Sequence, residues 1–164
     1  DITCPPGARI TFVHNSYTYN APMKNFTDIM GSFFSIKWTG GVPANSTTGT
    51  DNTVGASRSA VYFGGVFNET LTMILQRPDA YSYTYHGVPF LVALPGQPAV
   101  QFYNYAETLR VLSICSGAAT YVDFVTYLCT NNPVHAYDLL ETDLHQLTMA
   151  AVAQQANATV MSGD

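Results

Sequence analysis

Three tyrosines with a spacing of two occur in the stretch YSYTYHG, residues 81–87. This period predicts a β-strand that carries Tyr81, Tyr83 and Tyr85 on one face. A phenol can donate a hydrogen bond to an oxyanion that develops on a substrate, so tyrosines that face a cavity could take part in chemistry. On an outer face, the same rings would only favour strand formation.

The register of this strand decides between the two interpretations, and the residues leave it open. If Gln76 pairs with Tyr81 across the preceding turn, the residues between the tyrosines face inward. That set is Ser82, Thr84 and His86. A shift of one residue brings the tyrosines inward instead.

A hairpin is predicted around Gly64 and Gly65, which separate two β-rich runs. In the register that pairs Phe63 with Val66, Arg58 opposes Leu71. A glycan on Asn68 must face water, so the opposite face of both strands points inward. This inward set comprises Ala56, Arg58, Ala60, Tyr62, Glu69, Leu71 and Met73.

Arg58 and Glu69 are therefore expected to be diagonal neighbours on the inner face. A buried charge must be paired, and each of these residues meets that need for the other. Two interpretations stay open. The pair either neutralises itself and shapes the floor of a pocket, or contacts a ligand.

No motif for a metal, a phosphate or a dinucleotide occurs in the chain, and no nucleophile elbow is present. We therefore expect neither a metal site nor a cofactor. The four histidines, at positions 14, 86, 135 and 145, share no spacing and are expected to be surface or structurally satisfied residues, with His86 as a possible site residue. Glu141 and His145, one helical turn apart, are expected to form a solvated pair.

The composition excludes some classes of partner. The 164 residues carry a net charge of −5, and only six of them are Lys or Arg, too few and too scattered to track a phosphate backbone. No apolar run approaches the roughly 18 residues of a membrane helix. We expect one domain, residues 1–164, that binds no nucleic acid and does not span a membrane.

Secretion is expected from two features. The chain opens with DITCPPG and no methionine, as after removal of a signal peptide. Four glycosylation sequons begin at Asn25, Asn45, Asn68 and Asn157. The protein is therefore expected to be a glycoprotein of the secretory pathway.

The remaining elements follow from periodicity and turn signals. Residues 9–19 read as a strand, residues 23–38 as one or two short helices, and residues 39–52 as a polar loop. A long helix is predicted over residues 135–157, with Asn132 as its cap and Pro133 in its first turn. Leu140, Leu144, Leu147 and Ala151 follow one another at spacings of four, three and four, so they are predicted to form its buried face.

The chain resembles the START/birch-pollen-allergen superfamily, also called helix-grip or polyketide cyclase/dehydrase-like. The resemblance rests on SIKW at 35–38, VGASR at 54–58, NETL at 68–71 after the glycine hairpin, YSYTYHG at 81–87 and NYAETLRV at 104–111. It implies an α+β helix-grip fold, in which a curved antiparallel sheet of six or seven strands wraps around a long C-terminal helix and two short helices follow strand 1. Members hold a hydrophobic small molecule between the sheet and the helix.

The resemblance also implies site residues. An ungapped comparison with the plant abscisic-acid receptors puts Tyr83 and Tyr85 on pocket-lining positions, which favours the inward register. The same comparison puts Glu69, Tyr105, Glu107 and Asp123 on positions that contact ligand directly or through water. The receptors' anchoring lysine corresponds to Phe33, and FGGVF replaces their gate loop, so hormone reception is not implied.

In this family the first strand runs antiparallel beside the last one. The resemblance therefore implies a Cys4–Cys129 disulfide. Cys115, 14 residues before Cys129 at the other end of a hairpin, is too far away to pair with it and is expected to be a free thiol.

Two functions fit these expectations best, and a structural or host-interaction glycoprotein with a filled core is a third, less favoured interpretation. The first is a cofactor-free cyclisation, dehydration or pericyclic step on a polyketide or terpenoid, with Asp123 or Glu69 as acid or base and Tyr83 as an assisting phenol. Arg58, Tyr62, Leu71, Met73, Tyr85, Tyr105, Glu107 and Leu144 would contact the ligand. The alternative is a secreted carrier that only binds a lipid, sterol or aromatic metabolite, and the sequence leaves open whether the protein is an enzyme.

Overall fold

A computed structural model of the protein describes residues 3–62 and 64–163 and confirms the α+β helix-grip fold. Over these residues, nine strands form one antiparallel sheet, where six or seven strands were predicted. The strands are β1 (Arg9–Tyr19), β2 (Ser46–Thr48), β3 (Ser57–Tyr62), β4 (Gly65–Arg77), β5 (Ala80–Gly87), β6 (Phe90–Val92), β7 (Val100–Ile114), β8 (Ala119–Thr130) and β9 (Val160–Gly163). Their order is β2-β3-β4-β5-β7-β8-β1-β9, with β6 paired to β7. The three unpredicted strands, β2, β6 and β9, are only three, three and four residues long.

The C-terminal helix lies against the inner face of the sheet. It consists of α2 (Pro133–Asp138), a π-helical segment (Leu139–Gln146) and α3 (Leu147–Gln155). As predicted, the Asn132 side chain caps it by accepting a hydrogen bond from the His135 backbone N–H. Met149 and Val152 join one buried cluster with Leu109 of β7, so the sheet and the helix share a hydrophobic core.

One short helix, α1 (Met23–Met30), follows β1, and turns replace the second short helix that the family resemblance implied. Two residues of the following loop hold the segment after α1 in place. An Asp51 oxygen accepts from the backbone N–H of Phe34 at 3.0 Å, and the Asn52 side-chain oxygen accepts from that of Phe33 at 3.0 Å. These bonds fix an irregular stretch of chain whose Phe33 ring packs against Tyr83 and Tyr85 of β5.

The β3–β4 hairpin has the predicted inner face but a different register. Tyr62 pairs with Gly65, and Arg58 lies directly opposite Glu69. The predicted partner of Val66, Phe63, lies outside the described residues, and Val66 pairs with Val61 instead. The difference amounts to two positions, and because side chains alternate with period two, the predicted facings on this hairpin are retained as far as Leu71.

A β-bulge in β4 reverses the facing from Met73 onward. Leu71 pairs with Tyr85 but Met73 pairs with Thr84, so one extra residue lies between them. Met73, predicted to face inward, is 63% exposed on the outer face. Gln76 does pair with Tyr81, yet the bulge turns the tyrosines of β5 inward, where Tyr81, Tyr83 and Tyr85 are all buried.

The π-helical segment similarly changes the buried face of the C-terminal helix. Wider turns shift the inward positions by one residue, so Leu147, predicted to be buried, is 64% exposed, and Ala151 is exposed as well. Met149 and Val152 are buried in their place. His145, expected in a solvated pair with Glu141, is only 2% exposed and faces the sheet.

The disulfide is confirmed: Cys4 and Cys129 are bonded, with their Cα atoms 5.4 Å apart. Cys115 is a free, exposed thiol. Among the helices of the described residues, none combines the length and the apolar character needed to cross a membrane.

Candidate functional site

A cavity of about 90 Å³ lies between the inner face of the sheet and the C-terminal helix. Its wall is rich in aromatic rings, among them Trp38, Tyr62, Phe90, Phe102, Tyr105 and Phe124. Thr39 and Val42, in the loop after α1, also line it and are half-buried. Besides the tyrosines, four ionisable side chains, Arg58, Glu69, Glu107 and His145, line this mainly apolar space.

Arg58 and Glu69 form an ion pair at one side of the cavity. Arg58 Nε donates to Glu69 Oε2 at 2.7 Å, and Arg58 Nη1 donates to the Phe33 carbonyl at 2.7 Å. The guanidinium carbon lies 4.2 Å from the Phe33 ring centroid and 4.7 Å from that of Tyr85. Glu69 also accepts from the Tyr105 hydroxyl at 2.8 Å. The pair therefore has the hydrogen bonds and cation–π contacts that a buried charge requires.

Glu107 is the centre of a second network. Its Oε1 accepts from the Tyr85 hydroxyl at 2.6 Å, and its Oε2 accepts from the Thr126 hydroxyl at 2.6 Å. His145 Nε2 lies 3.0 Å from the same Oε2. An ionised carboxylate has about four acceptor sites, so roughly one remains for a ligand.

His145 is held between Glu107 and Asn15. Its Nδ1 lies 2.8 Å from Asn15 Oδ1, and its ring stacks on Phe124 with centroids 4.4 Å apart. The direction of the hydrogen bond between Asn15 and His145 depends on the imidazole tautomer and on the orientation of the Asn15 amide.

The two carboxyl groups have their pKa values moved in opposite directions. Burial raises the pKa of Glu69, and the opposing effects of Arg58 and Tyr105 do not cancel this rise. Burial alone would raise the pKa of Glu107 too, but His145 and the hydrogen bonds from Thr126 and Tyr85 outweigh it and lower that pKa. Carboxyls whose environments separate their pKa values are typical of acid–base sites.

The tyrosines of the cavity remain hydrogen-bond donors. Burial, together with Glu107 and Glu69, holds the pKa of Tyr85 well above its ordinary value. Burial and Glu69 do the same for Tyr105. Arg58 stays charged, because Glu69, Tyr83 and Tyr85 outweigh the effect of burial and raise its pKa.

Gly87, at the end of β5, makes room for the Tyr105 ring. A Cβ built at position 87 would overlap the ring and its hydroxyl. Since Tyr105 is the residue directly opposite Gly87 on β7, only glycine allows the hydroxyl to reach Glu69.

Most of the predicted site residues line the cavity together. They are Arg58, Tyr62, Glu69, Tyr83, Tyr85, Tyr105, Glu107 and Leu144. Leu71 is buried in the adjacent core and is not part of the cavity wall, and Met73 lies on the outer face because of the bulge.

Asp123 does not reach the cavity. Phe124 and Thr126 of β8 face inward, so alternation sends Asp123 to the opposite face of the sheet. There it is fully buried and forms an ion pair with Arg110. His14 Nε2 lies 3.2 Å from its carboxylate, which also accepts from the Tyr121 hydroxyl at 3.0 Å. The expected ligand contact and acid–base role of Asp123 are therefore wrong.

Sequence reasoning missed His145, Trp38, Phe124 and Thr126 as cavity residues. The alternation of β8 could have revealed Phe124 and Thr126 once that strand's inner face was known. Regular helical spacing could not have placed His145, because its inward position depends on the π-helical segment.

The fold and its enclosed cavity define a helix-grip protein. A START domain family model matches residues 14–121, and the chain belongs to this family. No curated protein matches the chain significantly.

Solved structures share the fold at low sequence identity. A protein from Nitrosospira multiformis is 19% identical, with a TM-score of 0.66 over 88% of this chain and 94% of that one. Ara h 8.0201 is 10% identical, with a TM-score of 0.63 over 91% and 99% of the two chains. Norcoclaurine synthase from Thalictrum flavum is 11% identical, with a TM-score of 0.58 over 90% and 87%.

Proposed function

We propose that the protein binds a hydrophobic small molecule in this cavity and catalyses a cofactor-free cyclisation, dehydration or pericyclic step on it, with a polyketide or terpenoid as substrate. One observation carries the proposal: two buried carboxyl groups, Glu69 and Glu107, line a cavity whose wall is otherwise mainly apolar. A pure carrier has less reason to bear the cost of desolvating them.

Each group has a role in this proposal. Glu107 accepts a proton or a hydroxyl hydrogen bond through its remaining acceptor site, and His145 stabilises the carboxylate from 3.0 Å. The phenol of Tyr83 is suited to donate to a developing oxygen anion, and Glu69, whose pKa is raised, serves as a second acid–base group. The aromatic wall holds the substrate in a reactive conformation.

The test compares turnover with binding. Purified protein is incubated with candidate polyketides and terpenoids, products are followed by mass spectrometry, and binding is followed by calorimetry. Glu107→Gln should lower turnover by about 10²-fold or more, as is typical for loss of a general base, while binding changes little. Asp138→Asn, which removes an exposed carboxylate of the C-terminal helix, is the control.

A carrier function is the second candidate, and one observation favours it. Both carboxyl groups already have protein partners, as structural groups do: Arg58 and Tyr105 bind Glu69, while Tyr85, Thr126 and His145 bind Glu107. Ligand binding with no product from any candidate would favour the carrier, whereas turnover that survives Glu107→Gln would overturn only the role given to Glu107.

We also propose a secretory location. The Cys4–Cys129 disulfide is typical of an oxidising compartment, and Asn45, Asn68 and Asn157 are exposed. Asn25 is half-buried and its side-chain nitrogen donates to the Ala156 carbonyl at 3.0 Å, so it is the least accessible sequon. Glycosidase treatment of protein secreted from a eukaryotic host should reveal glycans, first of all at the three exposed sites; a mass equal to that of the bare chain would argue against this location.

A further inference from the structure

Trp38 presents an unused hydrogen-bond donor in the cavity wall. It is the single tryptophan of the chain and it lines the cavity. Its indole nitrogen is buried, and among the described residues it has no hydrogen-bond partner. A buried N–H without a partner is costly, so an unsatisfied donor at a ligand cavity indicates a place where a ligand acceptor belongs.

The position of Trp38 is fixed by its surroundings. Ile36, two residues earlier, is 4% exposed, and the backbone N–H groups of Phe33 and Phe34 are held by Asn52 and Asp51. The indole also lies 6.4 Å from the Phe124 ring centroid at an interplanar angle of 37°. The donor is therefore presented by a supported side chain.

The charges of the cavity favour a neutral ligand. The guanidinium of Arg58 is bonded to Glu69, and His145 is bonded to Glu107. Among the described residues that line the cavity, no unpaired cation is left to bind the carboxylate of a fatty acid. The rings of Trp38, Phe90 and Phe124 instead offer the faces and edges against which planar rings pack.

We propose that Trp38 determines ligand specificity by donating its Nε1–H to a carbonyl oxygen of a neutral, planar aromatic ligand. This inference rests on the proposed binding function and adds the class of ligand. In this inference Trp38 recognises one oxygen of the ligand, and this contact is separate from the acid–base groups on the sheet and the helix.

The experiment uses acetophenone and ethylbenzene, which have similar shapes and differ in the carbonyl oxygen, with decanoate as an aliphatic anion. Dissociation constants are measured by calorimetry for the wild-type protein and for Trp38→Phe, which keeps an aromatic ring but lacks the N–H. In the wild-type protein, Trp38 emission reports directly whether each compound enters the cavity. Thermal unfolding checks that the variant is folded.

The preference for acetophenone over ethylbenzene should fall about two- to tenfold in Trp38→Phe, the usual range for one hydrogen bond. An unchanged preference, or decanoate as the tightest ligand, would overturn the inference while leaving cavity binding intact. If none of the three compounds binds or alters Trp38 emission, both this inference and the proposed binding function fail. The comparison of the two aromatic compounds in the wild-type protein needs no variant, so a folding defect of Trp38→Phe would not remove the test.

Discussion

Glu107 contacts more polar side chains than any other cavity residue described above. Its three hydrogen-bond donors come from three different elements: Tyr85 from β5, Thr126 from β8 and His145 from the π-helical segment. A carboxylate with several donors is stabilised in its charged form, which explains why the pKa of Glu107 is lowered despite complete burial. The same residue therefore links the chemistry of the cavity to the attachment of the helix to the sheet.

Acid should destabilise the protein partly through Glu107. Its pKa lies below 4.5 in the folded state and near 4.5 in the unfolded chain, so its contribution is present above pH about 4.5 and is lost as the pH falls through the folded value. Thermal unfolding between pH 7 and pH 3 should show a smaller acid-induced loss in Glu107→Gln than in the wild-type protein. Equal losses would contradict this, and Asp138→Asn should follow the wild-type curve.

At the scale of elements, the sequence predicted what depends on simple periods. Alternation along β3 and β4 placed Arg58 and Glu69 on the inner face even though the register was two residues off. It failed at Met73, because the bulge inserts one residue into β4. It failed at His145 for a related reason, since the π-helical segment changes the helical period. Such one-residue insertions are set by packing across the core and leave no signature in local composition.

The π-helical segment can be tested by two substitutions in α3. Met149→Ala should lower the free energy of unfolding by about 2–5 kcal/mol, because Met149 is fully buried. Leu147→Ala should change it by about 0.5 kcal/mol or less, because the side chain is mostly exposed. Urea unfolding measures both values. A larger loss of stability in Leu147→Ala than in Met149→Ala would contradict the π-helical segment and support the regular helical spacing predicted from the sequence.

At the scale of the whole molecule, the two faces of the sheet have separate tasks. The inner face carries the cavity and the hydrophobic core. The outer face carries the buried Asp123 with Arg110, and it is on this side of β8 that Cys129 anchors the N-terminal segment. The resemblance to a known family predicted this bridge, whereas it misplaced Asp123, since an ungapped comparison cannot show the facing of a single residue.

Loss of the disulfide should affect stability and leave the cavity unchanged. The bridge joins residues 125 positions apart, and Cys4→Ser should lower the free energy of unfolding by about 2–5 kcal/mol. Urea unfolding under oxidising conditions measures the loss, and calorimetry with a cavity ligand checks that affinity is retained. Cys115→Ser, which removes the exposed thiol, is the matched control and should match the wild-type protein. A large fall in affinity in Cys4→Ser would show that the two faces are coupled.

Gly87 and Tyr105 lie so close together that the space available to one side chain depends on the size of the other. Space left free by the missing side chain at position 87 is filled by the phenol from the neighbouring strand. A smaller residue at position 105 of β7 would enlarge the cavity. A methyl group added at position 87 of β5 would then fill part of the space that the smaller residue leaves. The size of ligand that the protein accepts can thus be adjusted in steps by paired substitutions, without altering Arg58, Glu107 or His145.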